Sequence, residues 1–199
     1  MLTIVINAGG KSLRMGENKA LKLFAGQPLI SRMISRLEPI AQELLVTTNQ
    51  PQELEFLGLP LVPDMLPGKG ALSGLYTAVA AAHQPLVAVL ACDMPFINPD
   101  LLAVQRDILR DEGVDVVVPW SPQGLEPLHA IYRKSTCLPA IEAALHADLR
   151  RLISWFPQVK VREMQAPEVA QVDPQFTSFI NVNTPQEFRQ AELLERRDK

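Results

Sequence analysis

The sequence predicts an α/β protein with a mostly parallel sheet and helices on both of its faces. Two observations carry this expectation. Short apolar runs at residues 2–6, 44–48 and 86–91 are almost continuously hydrophobic, as strands covered on both faces are. Longer amphipathic segments alternate with them, and a strand-helix-strand order makes neighbouring strands parallel. No repeat, low-complexity stretch or linker interrupts the order, so a single domain is expected over residues 1–199, a length that buries a full core.

Each element has its own signal. Residues 2–6 read as a buried first strand and 44–48 as the second. Between them Ile30, Met33, Ile34 and Leu37 fall at i, i+3, i+4 and i+7, with Pro28 where a helix begins. Residues 72–83 are alanine-rich and suit a helix packed closely on a sheet. Residues 86–91 give a third strand; 99–112 form a helix after the N-cap Asn98 and stop at Gly113; 114–119 give a fourth strand. The later half is less regular. Residues 125–132 read as a strand, 135–147 and 148–156 as helices, and 159–162 and 176–180 as short strands. Residues 185–197 read as a helix, with Thr184 as N-cap and Glu187 three residues on, a capping box.

Composition narrows the function classes. The net charge of −3 gives no general attraction for nucleic acid or an anionic membrane. The apolar runs are far shorter than a membrane span, and residues 1–6 lack the basic lead and cleavage site of a signal peptide. Cys92 and Cys137 show no metal-ligand spacing. A reduced cytoplasmic setting is expected.

The chemistry gathers where strands end. Asn7-Ala8-Gly9-Gly10-Lys11-Ser12-Leu13-Arg14-Met15-Gly16-Glu17-Asn18-Lys19 follows the first strand directly. Its glycines let backbone N–H groups approach phosphate oxygens, and Arg14 and Lys19 supply positive charge. It is neither a Walker A loop nor the dinucleotide fingerprint, because Val5 stands where the first Walker glycine is required and G-x-G-x-x-G is absent. A long surface turn is the alternative reading. Residues 86–91 end in Cys92-Asp93-Met94-Pro95. An aspartate leaving a buried strand faces the same carboxyl edge, where it is either a magnesium ligand or a turn residue before Pro95. Cys92 reads as a small buried residue, with no basic neighbour in sequence to activate it.

Ala8-Gly9-Gly10, Ser12, Arg14-Met15-Gly16 and Lys19 resemble the signature of the molybdenum cofactor guanylyltransferase group of nucleotidyltransferases. The resemblance runs from Leu2 to about Phe188 and implies their three-layer α/β/α Rossmann-like fold. It implies a nucleotide half at about 1–95, an acceptor half at about 96–190, and a loop that wraps a triphosphate with Lys19 on the phosphates. Asn7 to Gly9 would lie near the base, although the family's usual residue before the alanine is leucine. Cys-Asp-Met-Pro with Phe96 resembles the metal-binding motif, which puts Mg2+ on Asp93. Asp64 would contact the nucleotide, Asn49 is a weaker correspondence, and Gly70-Ala71-Leu72-Ser73-Gly74 would border the base without the family's proline. Glu126-Pro127-Leu128-His129-Ala130-Ile131-Tyr132 resembles the acceptor side, making Glu126 and His129 acceptor contacts; a structural role is the other reading of His129. Asn183 matches a position that completes the metal site in related enzymes and also suits a helix cap.

The activity so implied is transfer of GMP from GTP to the terminal phosphate of molybdenum-bound molybdopterin, with pyrophosphate leaving. Transient contact with molybdopterin-delivering and molybdoenzyme-maturation proteins would accompany it. Three alternatives stand beside this one. They are a cytidylyltransferase on the same pterin, a sugar- or alcohol-phosphate nucleotidyltransferase, and a nucleotide-binding cofactor carrier without turnover.

Overall fold

The computed structural model describes residues 1–9 and 19–197. The chain opens with β1 (Leu2–Asn7). A small hairpin of β2 (Leu23–Phe24) and β3 (Gln27–Pro28) precedes α1 (Leu29–Leu37), which leads to β4 (Glu43–Thr47) and β5 (Leu61–Val62). Then come α2 (Ala71–Ala81), β6 (Leu86–Ala91) and α3 (Pro99–Asp111). β7 (Val116–Ser121), β8 (Gly124–Leu125) and β9 (His129–Arg133) precede α4 (Lys134–His146). The described chain closes with β10 (Val161–Met164), the one-turn α5 (Ala166–Val169) and α6 (Pro185–Arg197).

The main sheet runs in the order β10-β7-β9-β6-β1-β4-β5, with β8 paired to β7. β1 is parallel to both β4 and β6, β4 to β5, and β10 to β7. β9 runs antiparallel to β6 and β7, so the sheet is mostly parallel, as expected. After β1 the chain builds outward through β4 and β5, then crosses to place β6 on the other side of β1. That reversal opens a crevice at the carboxyl ends of the strands, the usual ligand position in such sheets.

Alternation along β1 divides the core into two layers. Leu2, Ile4 and Ile6 point to one face and pack with Met33 of α1 and Leu101 of α3. Val5 points to the other and packs with Leu75 of α2 and Ile141 of α4. The result is the three-layer arrangement. Deleting the side chain of such a fully buried leucine typically costs about 2–5 kcal/mol. A third cluster joins Phe24, Leu29, Phe96, Val182 and Phe188, and ties the β2–β3 hairpin and α6 to the segment after β6.

The expected caps are present. Asn98 accepts from the Asp100 backbone N–H at 2.9 Å, and Thr184 and Glu187 close the capping box of α6. Three expectations in the later half are corrected. Residues 148–156 form turns and the start of a 3-10 turn (Phe156–Gln158), not an α-helix, because Asp148 adopts a positive φ of 54° two residues after α4 ends. Trp155 then turns fully into the core, with its Nε1 donating to the Leu152 carbonyl at 2.8 Å. Residues 176–180 hold a 3-10 turn (Thr177–Phe179), because the Asp173 carboxylate accepts the backbone N–H groups of Thr177 and Ser178 at 3.0 and 2.8 Å. The strand expected at 125–132 breaks into β8 and β9, since the turn Glu126 to His129 satisfies its own backbone (His129 N to Glu126 O, 2.9 Å).

Candidate active site

Asn7 ends β1 at the crevice. Its Oδ1 accepts from the Gly9 backbone N–H at 3.2 Å and from Thr47 Oγ1 at 3.3 Å, turning the chain out of the strand. α2 approaches from the other side. A Cβ at Gly74 would stand 3.1 Å from Asn7 Nδ2, so glycine lets helix and side chain meet. Gly70 caps α2 with φ at +83°, a backbone that L side chains rarely adopt. Gly10, Ser12 and Arg14 lie outside the described residues.

A cavity of about 570 Å³ fills the crevice, within the range of small-molecule sites. Asn7, Ala8, Gly9 and Lys19 line one part; Asn49, Asp64 and Gly70 line another; Asp93 stands at its margin. The nucleotide-side residues named here therefore share one space, whereas Leu72 and Ser73 of the segment expected to border the base are buried and do not line it. Asp64 also has a structural task. Its Oδ1 accepts from the Leu66 backbone N–H at 3.0 Å and Thr77 Oγ1 at 3.1 Å, and its Oδ2 from Ser73 Oγ at 3.4 Å. Asn49 Oδ1 in turn accepts the Asp64 backbone N–H at 3.2 Å.

A second cavity of about 230 Å³ adjoins the first, and Ala91, Asp93 and Leu128 line both. Glu126, Asn181 and Asn183 line the smaller one. Burial raises the Glu126 carboxyl above the usual range, the Ser121 hydroxyl donating to it at 2.6 Å opposes this, and the Asp93 charge adds to the rise. At the junction Lys19 Nζ lies 3.8 Å from Asp93 Oδ2 and donates to Asn183 Oδ1. Burial pushes the Asp93 carboxyl up, and the Lys19 ammonium pulls it back.

The donor set fits a hard divalent cation. Asp93 Oδ1 is buried without a protein partner, as is Oδ1 of Asn181, a residue that lines the smaller cavity. Magnesium accepts one or two carboxylates and takes its remaining ligands from water and substrate phosphates. Among the described residues no group of three His, Cys, Asp or Glu side chains could hold a metal alone.

His129 is corrected. It is fully buried, its ring lies 4.9 Å from that of Phe179, and it lines neither cavity. Burial lowers its pKa to about 4, so it is a neutral core residue at neutral pH. The cause is register: β9 turns His129 into the layer that holds Gln105, whose Nε2 donates to the His129 carbonyl at 2.9 Å. Asn181 was missed by sequence reasoning. The available signal was its spacing from Asn183, because residues two apart in extended chain share a side, while Val182 between them packs inward. Burial pushes the Cys92 thiol up to about 12, with the Asp93 charge adding to it, so it is no nucleophile at neutral pH.

A crevice at the switch point, joined through a lysine and a buried carboxylate to a second pocket, is the arrangement of an α/β ligand-binding protein. The family model described as MobA-like NTP transferase domain matches residues 4–162. A probable molybdenum cofactor guanylyltransferase of Pelotomaculum thermopropionicum is 36% identical over 192 residues, covering 96% of this chain and 92% of that protein. A molybdenum cofactor guanylyltransferase of Desulfosudis oleivorans is 32% identical over 196 residues, covering 96% and 94%. The crystal structure of molybdopterin-guanine dinucleotide biosynthesis protein A from Archaeoglobus fulgidus shares the fold at TM-score 0.83 and 24% identity, over 98% of this chain and 99% of that one. The chain belongs to the MobA-like NTP transferase family and is a nucleotidyltransferase.

Proposed function

We propose that the protein transfers GMP from GTP to the terminal phosphate of molybdenum-bound molybdopterin, forming the guanine dinucleotide cofactor and pyrophosphate. The observation that carries this reading is the meeting of a nucleotide-sized cavity and a smaller one on Asp93. The names borne by the similar proteins support the choice of substrates.

The larger cavity takes GTP and the smaller takes the acceptor phosphate. An acceptor oxygen forms a bond to the α-phosphorus while the bond from that phosphorus to the β-phosphate bridge breaks. The nucleophile is already an anion, so no strong general base is needed. The protein's task is to hold repelling anions in line. Lys19 neutralises phosphate charge, Arg14 adds to it, and Asn183 fixes the Lys19 ammonium. Asp93 and Asn183 are the residues that would hold Mg2+, which when bound would supply Lewis-acid neutralisation of phosphate charge. Glu126 borders the acceptor. Delivery and hand-over of the cofactor imply brief contacts with molybdopterin-delivering and molybdoenzyme-maturation proteins in the cytoplasm.

Pyrophosphate release across GTP, CTP and ATP, each with molybdenum-bound molybdopterin or a sugar phosphate and with Mg2+, tests the reading. GTP with the pterin is expected to turn over fastest. Preferred turnover of CTP assigns the protein to cytidylyl transfer, and preferred use of the sugar phosphate removes the pterin.

A further inference from the structure

The segment after β6 carries Asp93 out of the sheet, and its path is set from outside. Residues 92–97 form turns, not a ladder, and Pro95 has no N–H to give. Three alternate backbone carbonyls of this segment are nevertheless each held by a different donor. The Asp93 carbonyl accepts from the Val182 backbone N–H at 2.9 Å. The Pro95 carbonyl accepts from Arg32 Nε at 3.1 Å, and the Ile97 carbonyl from Arg36 Nε at 2.8 Å.

Arg32 and Arg36 stand four residues apart on α1, on one face of the helix. Arg32 is further fixed. Its Nη2 lies 2.6 Å from Glu195 Oε2 of α6, with only 11% and 13% of the two side chains exposed, and its guanidinium packs 5.3 Å from the centre of the Phe24 ring. Phe24 in turn meets Phe96 edge-on at 5.7 Å. Charge-assisted bonds are about twice as strong as neutral ones, and the planar guanidinium fork loses little freedom on binding. A single carboxylate with a buried, unpartnered oxygen depends on its backbone to aim that oxygen.

We propose that Arg32 and Arg36 are positioning residues for Asp93: they fix the β6 exit so that its carboxylate meets the divalent cation in the crevice. Neither arginine lines either cavity. They act through the Pro95 and Ile97 carbonyls, and α6 supports Arg32 through Glu195. This rests on the reading of Asp93 as the metal-binding carboxylate.

The test uses the whole protein saturated with a non-hydrolysable GTP analogue and titrated with Mn2+, followed by water-proton relaxation enhancement. Arg32→Met keeps the apolar stem against Phe24 and removes the donor; Arg36→Met does the same one turn on. Each is expected to weaken Mn2+ binding about tenfold or more, the usual effect of losing a group that orients a metal ligand. Arg32→Lys keeps a donor and the charge but not the fork that joins Pro95 to Glu195, so it should recover only part of the loss, and affinity for the nucleotide without metal should stay unchanged. Glu195→Gln retains the bond from Arg32 to Pro95 and should give a smaller loss, which keeps the test available if Arg32→Met does not fold. Asp93→Asn is run beside them. If Asp93→Asn abolishes Mn2+ binding while Arg32→Met and Arg36→Met bind normally, the positioning role is wrong and the metal reading stands. If Asp93→Asn binds Mn2+ normally, both readings fail.

Discussion

At Asp93 a carboxylate is held mostly out of water beside Lys19. Burying a charge is costly unless it is paired, and here one oxygen faces Lys19 while the other has no protein partner. That arrangement suits a group kept for a cation more than for folding. Asp93→Asn is therefore expected to lower turnover by orders of magnitude, in line with the several kcal/mol a catalytic metal supplies. The melting temperature should stay the same or rise, since the neutral amide is easier to bury. Near-wild-type turnover at saturating magnesium would count against the metal assignment. Lys19 and Asp93 were legible in the sequence for different reasons, Lys19 as a cation closing the glycine-rich loop after the first strand and Asp93 as a carboxylate leaving a continuously apolar one, and both line the crevice. His129 was not: its place beside Glu126 suggested the acceptor, but the turn ahead of β9 sends the two side chains to different surroundings.

Among the elements, α6 shows how a local signal can serve a distant site. Glu187 Oε2 accepts the backbone N–H groups of Asn183 at 2.7 Å and Thr184 at 3.0 Å, and Thr184 Oγ1 accepts the Glu187 N–H at 3.2 Å. The capping box was readable from spacing alone. Its second use, fixing the backbone of the residue that holds Lys19, was not. Thr184→Ala is expected to cost about 1 kcal/mol of stability with little change in turnover. Glu187→Ala should cost a similar amount and also reduce turnover, because Asn183 loses its backbone anchor. Denaturant midpoints and steady-state rates measured on both variants check this; equal, unchanged rates would leave the box as a cap only. The strands were legible for the same local reason, through continuous apolar runs. Residues 148–156 and 176–180 were not, because the positive φ at Asp148 in one and the Asp173 carboxylate in the other override the local pattern.

For the whole molecule, the pH dependence of stability carries the mark of His129. Its folded pKa of about 4 lies below the ordinary 6.5, so the unfolded chain binds the proton more readily. The corresponding stability is fully present above pH 6.5 and is lost as pH falls toward 4. The full effect is roughly 3 kcal/mol by the usual conversion. Both ring nitrogens lack partners, so His129→Leu removes this component without stranding a polar group. Denaturant unfolding from pH 7 to 4 should show a shallower acid loss in the variant; parallel curves would mean that His129 is protonated inside the fold. By itself the sequence determined the α/β class, the order of the main elements and the two charged residues at the chain's exits into the crevice, Lys19 and Asp93, whereas Asp64 and Glu126 came from the family resemblance. These rest on periodicity and on chemistry within one segment. Only the tertiary structure decided that Asn183 reaches Lys19, that Arg32 and Arg36 hold the Asp93 segment, and that His129 leaves the site. Those contacts join residues about 60 to 160 positions apart or depend on which way one turn sends a side chain, and no local pattern encodes either.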